Sequence, residues 1–385
     1  MKKRFISLIT VTLSILLLVQ AAPLFVSAEK DSAGLELDCK SAILMEANTG
    51  EVLYEKDADI PLPPASVTKI MTLLIVMEAI EEGSIGYGDT VSASAHACSM
   101  GGSQIYLKEG EQMSVDDLIK SVVISSANDA AVALAEHVAG SEEAFVAQMN
   151  SRAEELGMKN THFENTNGLD DTAQDHTCSA RDIAIMSREL LKHEKIIEYA
   201  KIWMTTIRDG AFGLTNTNRL IRFYDGATGL KTGSTAKAGF CISATAERGG
   251  MHLIAVIMGS PSRDIRNAAA TALLNYGFAN FELYSRAAQS LGEIRIVGGK
   301  RDSAEMVCDE FCTLVKKGAA AKISYTDTIP ESVSAPISKK SAVGERTYRI
   351  GEEVIGKSDV RITDGVERIN FWGVVLKIFV RCAIF

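Results

Sequence analysis

The chain has 385 residues, 46% of them hydrophobic, and a formal net charge of −9 at pH 7. The apolar share is ample for cores in two domains, and the acidic balance argues against a nucleic-acid partner. Seven scattered cysteines are unlike a disulfide framework. Cys308 and Cys312 lack a second Cys or His cluster, and the histidines form no HExxH, so no metal or other cofactor is expected.

In chain order, residues 1–28 read as a signal peptide. Lys2, Lys3 and Arg4 precede an apolar run from Phe5 to Val19, and Val26-Ser27-Ala28 supplies small residues for cleavage. The competing reading, an N-terminal membrane anchor, needs a longer apolar run. Cleavage would start the mature chain at Glu29 and shift its charge from −9 to −12. Export is expected, with the protein held in the cell envelope at the outer face of the cytoplasmic membrane.

Ala42–Ala47 and Glu51–Tyr54, joined by Asn48-Thr49-Gly50, read as a β-hairpin. Pro61, Pro63 and Pro64 mark a loop. Val67–Ile80 is apolar almost all round, the pattern of a helix buried in the middle of its domain, ending at Gly83. Helical stretches follow near Val115–Val123, Asp129–Ala139 and Ala180–Leu191, with Ser125-Ser126-Ala127-Asn128 breaking the first two apart. Leu230–Ser234, Gly239–Ala246 and His252–Met258 read as strands, and Arg266–Tyr276 as a closing helix. Strands at both ends with helices between imply an α/β domain over 29–282 with a mainly antiparallel sheet. Over 283–363, Ile294–Val297, Thr313–Lys316, Lys322–Tyr325, Tyr348–Ile350 and Val360–Ile362 suit a small all-β domain.

Ser66 and Lys69 stand one helical turn apart, on one face, where the buried helix begins. A serine hydroxyl needs an adjacent base, and a desolvated lysine can serve. The same spacing recurs at Ser27–Lys30 and Ser234–Lys237, so it is weak alone. A buried helix-start serine with a snorkelling lysine reads equally well. Ser126 and Asn128 suit donors into a cleft, or ordinary helix caps. Lys231 and Thr232 suit a carboxylate ligand at a sheet edge, with Gly233 leaving room for a substrate backbone, or merely a strand meeting a turn.

The order is more informative than the parts. Ser-x-x-Lys, Ser-x-Asn 60 residues on, and Lys-Thr-Gly 105 beyond that form the motif set of penicillin-binding proteins and serine β-lactamases. With Gly101-Gly102-Ser103-Gln104, Thr217-Asn218-Arg219-Leu220 and Ala238-Gly239-Phe240-Cys241, nearly the whole mature chain resembles the low-molecular-mass D-alanyl-D-alanine carboxypeptidases. Ala127 departs from the glycine expected in many relatives.

The resemblance implies a serine β-lactamase/DD-peptidase fold and a peptidase that removes the terminal D-alanine from peptidoglycan pentapeptides. In it, Ser66 is the nucleophile and Lys69 its base. Ser126 relays a proton to the leaving D-alanine, and Asn128 orients substrate and Lys69. Lys231, Thr232 and Ser234 hold the terminal carboxylate beside Gly233, and the N–H groups of Ser66 and Ser234 form the oxyanion hole. It also implies β-lactam antibiotics as covalent inhibitors. A β-lactamase is the nearest rival, but Thr271-Ala272-Leu273-Leu274-Asn275 has Thr where class A enzymes carry the deacylating glutamate. A DD-endopeptidase or transpeptidase shares the motifs. A non-catalytic wall-binding protein would not need all of these reactive groups.

In 364–385, Val366, Ile369, Trp372, Leu376, Phe379, Val380 and Ala383 follow helical spacing, with Asn370, Lys377 and Arg381 on another face. This suits an amphipathic helix lying on the membrane surface. A spanning helix and one docked on the protein are the alternatives.

Overall fold

The computed structural model describes residues 34–170 and 173–383. The signal-peptide reading of 1–28 falls outside them.

Ser41–Glu46 (β1) and Val52–Lys56 (β2) form the expected antiparallel hairpin. The Glu46 carboxylate organises its turn, accepting from Thr49 N at 2.7 Å and Asn48 Nδ2 at 3.1 Å. Ala227–Thr235 (β3), Gly239–Arg248 (β4) and Met251–Ser260 (β5) complete a five-stranded sheet in the order β2-β1-β5-β4-β3, antiparallel throughout. The two ends of the segment therefore share one sheet. Ile43, Met45, Ile254, Val256 and Met258 join the large core cluster on one face. Leu44 and Leu253 alternate to the other, where they meet Gly277. Burial on both faces explains why these strands read as continuous apolar runs.

The central helix Lys69–Glu81 (α1) is buried from Lys69 to Met77. It starts later than the sequence predicts. Ala65–Thr68 is a 3₁₀ turn, entered through Pro64 with Ala65 at φ +50°. Val115–Lys120 (α2) and Asn128–Ala139 (α3) are joined by a π-helical turn, Ser121–Ser125, and by Ser126 in the left-handed region. Glu142–Glu155 (α4) has no counterpart in the sequence reading. Ala180–Leu190 (α5) matches it, and the closing helix Arg263–Asn280 (α6) is longer at both ends than expected. Ser262 Oγ caps α6, accepting from Ile265 N at 3.2 Å.

Beyond α6 the strands are Phe281–Arg286 (β6), Gln289–Val297 (β7), Ser303–Cys308 (β8), Phe311–Lys316 (β9), Ile323–Thr328 (β10), Ser332–Ser334 (β11), Ala342–Ile350 (β12) and Glu353–Ile362 (β13). They form a six-stranded sheet, β10-β12-β13-β8-β7-β11, and a β6-β9 ribbon. Its core is small: Ile294, Ile296, Ala304, Met306, Cys308, Val360, Ile362 and Val366. The sequence reading found the ends of several of these strands and missed β6, β8 and β11. Of these, β8 does alternate, with Ala304, Met306 and Cys308 buried, whereas β6 is half-buried along most of its length and β11 is only three residues long.

Phe371–Ala383 (α7) is helical, and Lys377 Nζ ties it to the small domain through Asp302 Oδ1 at 2.6 Å and Gly299 O at 3.1 Å. Trp372, Leu376 and Phe379 are nevertheless 76%, 66% and 70% exposed. Among the described residues, no helix is long and apolar enough to cross a membrane.

The two leucine environments give a direct comparison. Leu74→Ala, in fully buried α1, is expected to cost about 2–5 kcal/mol in urea unfolding. Leu376→Ala is expected to stay within about 0.5 kcal/mol. Equal losses would mean that α7 packs on the protein as tightly as α1.

Candidate active site

The apolar helix α1 carries one charged side chain in its first turn, Lys69, and that side chain is completely buried. Its Nζ lies 3.0 Å from Ser66 Oγ, 2.6 Å from Asn128 Oδ1 and 2.7 Å from the Asn167 carbonyl oxygen. A neutral amine has two N–H donors and one lone pair. The two carbonyl oxygens can only accept, so they take the donors, and the lone pair is left for the Ser66 hydroxyl. Burial, reinforced by the Lys231 ammonium, holds Lys69 well below the ordinary lysine range, against an opposing pull from Asp129. The snorkelling alternative fails, because the amine stays inside.

Asn128 is aimed by its own amide. Nδ2 donates to Gly101 O at 2.6 Å, which turns Oδ1 toward Lys69, and Asn128 N donates to Ser103 O at 2.7 Å. The loop bearing Gly101 and Ser103 is fastened by Asp129, whose buried carboxylate accepts from Ile105 N at 3.1 Å and Leu107 N at 3.0 Å. The helix-cap reading of Ser126 and Asn128 is corrected here. The cap position of α3 is Ala127, which has no side-chain cap, and both polar side chains are committed elsewhere.

Ser126 sits at φ +64° after the π turn, a conformation found at functional sites more often than in ordinary helices. Its Oγ accepts from Lys231 Nζ at 2.8 Å, and the same ammonium donates to Thr232 O at 2.9 Å. Lys231 is only 1% exposed. Its ammonium is therefore shielded from open solvent and reaches the cleft at Ser126 Oγ. Burial, with the Arg266 guanidinium nearby, brings its pKa down to about 7. Thr232 Oγ1 donates to Thr217 Oγ1 at 2.8 Å.

Gly233 does more than clear a path for substrate. A Cβ there would stand 2.8 Å from Ser66 N and 2.9 Å from Pro64 O, so glycine is what lets β3 lie against the Ser66 turn.

These groups meet at a cleft of about 620 Å³ lined by Ser66, Ser126, Thr232, Gly233 and Ser234. The sequence reading assigned no role to Thr217, Arg263 or Arg266, which also line it, and did not anticipate Asn167 or the part played by Asp129. Asn165-Thr166-Asn167-Gly168 has the composition of a turn, but no spacing rule shows that a carbonyl from it will face Lys69. No aspartate or glutamate lines the cleft among the described residues. Thr271, which stands where class A enzymes carry the glutamate, lies on α6, as does Asn275, whose Oδ1 accepts from Tyr224 OH at 2.9 Å.

A serine whose hydroxyl faces a desolvated amine, with a second serine–lysine pair across the cleft, is equipped for acyl transfer through a covalent intermediate. The comparisons specify which kind. Residues 26–262 match the family model described as D-alanyl-D-alanine carboxypeptidase, and 278–368 match that of the penicillin-binding protein 5 C-terminal domain. The chain is 41% identical to D-alanyl-D-alanine carboxypeptidase DacF of Bacillus subtilis (strain 168), over 96% of both chains. It is 34% identical to DacC of Escherichia coli (strain K12), over 91% of this chain and 90% of the relative. Penicillin-binding protein 5 from Haemophilus influenzae superposes with a TM-score of 0.75 at 29% identity, covering 87% of this chain and 99% of that one. The chain belongs to the D-alanyl-D-alanine carboxypeptidase family, and is a serine-type peptidase of the penicillin-binding class.

Gly233→Ala is expected to slow acylation of the protein by penicillin at least about tenfold, because the added carbon displaces the strand from Ser66 N. Timed labelling with a fluorescent penicillin checks this; an unchanged rate would show that the close approach is dispensable.

Proposed function

We propose that Ser66 Oγ attacks the carbonyl between the two terminal D-alanines of a peptidoglycan stem pentapeptide while Lys69 takes the hydroxyl proton. The observation that carries this reading is the Lys69 amine, whose two donors are occupied by Asn128 Oδ1 and Asn167 O, leaving its lone pair toward Ser66. The Ser66 Oγ–carbon bond forms and the developing oxyanion is met by the N–H groups of Ser66 and Ser234. The carbon–nitrogen bond then breaks. Ser126 passes a proton to the departing amine and is re-supplied through Lys231 and Lys69. Thr232, Ser234 and Lys231 hold the terminal carboxylate, beside guanidiniums at Arg263 and Arg266. Water hydrolyses the acyl-enzyme and releases the shortened peptide.

The same serine would be acylated by β-lactams. A relative in the penicillin-binding class, penicillin-binding protein D2 from Listeria monocytogenes, has been solved in an ampicillin-bound form, and superposes with a TM-score of 0.58 at 31% identity over 63% of this chain and 98% of that one. Among the described residues no acid lines the cleft, so the adduct has no such carboxylate to activate its deacylating water.

Export of the chain and its attachment to the membrane surface by α7 complete the proposal. The exposed Trp372, Leu376 and Phe379 support it. The small β domain would then hold the cleft away from the bilayer.

Incubation with a pentapeptide is expected to release free D-alanine, and Ser66→Ala to lower the rate by about three orders of magnitude or more. Cross-linked product without release would favour transpeptidation, and rapid penicillin turnover without a lasting adduct would favour a β-lactamase. The pH profile has a defined sign. kcat/KM should rise as Lys69 loses its proton and fall as Lys231 loses the charge that keeps Lys69 neutral. Lys231→Arg should move the alkaline limb upward. Deleting 364–385 is expected to move the protein from the membrane to the soluble fraction; unchanged association would refute the anchor.

A further inference from the structure

Behind Ser66, on the side away from the cleft, lies a second chain of hydrogen bonds that the mechanism does not use. His176 is 4% exposed, packed edge-on against buried Phe163 with ring centroids 5.7 Å apart. Its Nδ1 accepts from Glu164 N at 3.0 Å. A backbone N–H can only donate, so Nδ1 is unprotonated and Nε2 carries the hydrogen. Nε2 stands 2.7 Å from Thr68 Oγ1, and Thr68 Oγ1 stands 2.8 Å from the Ala65 carbonyl oxygen. Every hydrogen in the series therefore has one direction: Glu164 N–H to His176, His176 to Thr68, and Thr68 to the Ala65 carbonyl.

That carbonyl belongs to the peptide unit whose nitrogen is Ser66 N, the N–H assigned to the oxyanion hole. The peptide is in an unusual place. Ala65 is at φ +50°, left-handed for a residue with a side chain. Gly168 presses on it so closely that a Cβ there would be 1.9 Å from Ala65 O and 2.8 Å from Thr68 Oγ1. The loop that carries Gly168 is pinned to α1 at two further points, Thr72 Oγ1 to Thr166 O at 2.5 Å and Lys69 Nζ to Asn167 O at 2.7 Å.

We propose that Thr68 and His176 are positioning residues for acylation, which fix the Ala65–Ser66 peptide plane and so aim the Ser66 N–H at the developing oxyanion. Neither touches substrate. Because a peptide is planar, a hydrogen bond that fixes its C=O fixes the opposed N–H as well. The imidazole suits the task because it stays neutral: burial takes its pKa down to about 4, so Nδ1 remains an acceptor through the working range. This inference rests on Ser66 being the nucleophile.

The test is single-turnover acylation of the full chain by a fluorescent penicillin, with end-point labelling, non-covalent affinity and thermal unfolding measured on each variant. Thr68→Val keeps the shape of the side chain and loses both hydrogen bonds, whereas Thr68→Ser keeps them. Thr68→Val and His176→Leu are each expected to slow the acylation step about tenfold or more, with full end-point labelling and unchanged non-covalent affinity. Thr68→Ser should stay within about threefold of the parent, and the double variant should be no slower than the worse single one. Three results would overturn the proposal: Thr68→Val acylating at the parental rate, Thr68→Ser as slow as Thr68→Val, or losses that multiply in the double variant. If His176→Leu does not fold, the Thr68 pair alone decides. Labelling of a Ser66→Ala chain would be a different failure, that of the nucleophile assignment itself.

Discussion

One nitrogen organises this molecule. Lys69 Nζ has no exposure to water and must satisfy itself from three separate parts of the chain: the Ser66 turn, the start of α3 and the loop at Asn167. A charged ammonium has three donors and no lone pair, so it cannot act as a base. A neutral amine among these same partners has one free lone pair, and geometry directs it at the serine. Three acceptors would satisfy an ammonium too, with Ser66 Oγ accepting, so what favours the neutral amine is its burial and the nearby Lys231 charge.

That choice constrains what surrounds it. Asn128 serves only if its oxygen faces inward, which the Gly101 carbonyl enforces from the amide side, and the Gly101 loop keeps its shape because Asp129 accepts its N–H groups. Lys231 contributes from β3 in two ways, by its charge on Lys69 and by its bond to Ser126. Two buried lysines also bear on stability. Each binds fewer protons in the folded state than in the unfolded chain between its lowered pKa and the ordinary lysine value of about 10.4. Their contribution to stability therefore improves as pH rises across that interval, for Lys231 from about 7 upward. The largely apolar α1 and the two-faced sheet offset this cost, with the Ser66–Lys69 pair at the head of a deeply buried helix.

The parts legible from sequence were those governed by periodicity or by chemistry in fixed order. The apolar run after Ser66, the hairpin at Asn48–Gly50 and the strand runs from Leu230 onward required no three-dimensional information. The α4 helix was harder. Phe145, Met149 and Ala153, its buried residues, recur every four positions, but they are set in Glu- and Ala-rich sequence that dilutes the stripe. The 3₁₀ start at Ala65 and the π turn at Ser121–Ser125 were not legible, because both answer to tertiary contacts: β3 lying against Ser66 N, and Ser126 reaching Lys231. The Asn167 carbonyl is a backbone group, and the side-chain identity at that position does not announce it.

Backbone-to-backbone contact is the recurring device of the site. Gly233 brings a strand against the Ser66 nitrogen, Gly168 brings a loop against the Ala65 carbonyl, and Gly102, at φ +74°, lies where a Cβ would be 2.8 Å from Asn128 Nδ2. Each glycine removes a methyl-sized separation between two elements that carry reacting or orienting groups. An oxyanion hole needs its donors placed to within a few tenths of an ångström, and side chains on flexible stems place groups less accurately than peptide planes do. In Lys-Thr-Gly the lysine carries the charge, but the glycine lets the strand lie against the Ser66 turn while that lysine reaches Ser126. Motif spacing in this chain is therefore a record of close approach as much as of chemistry.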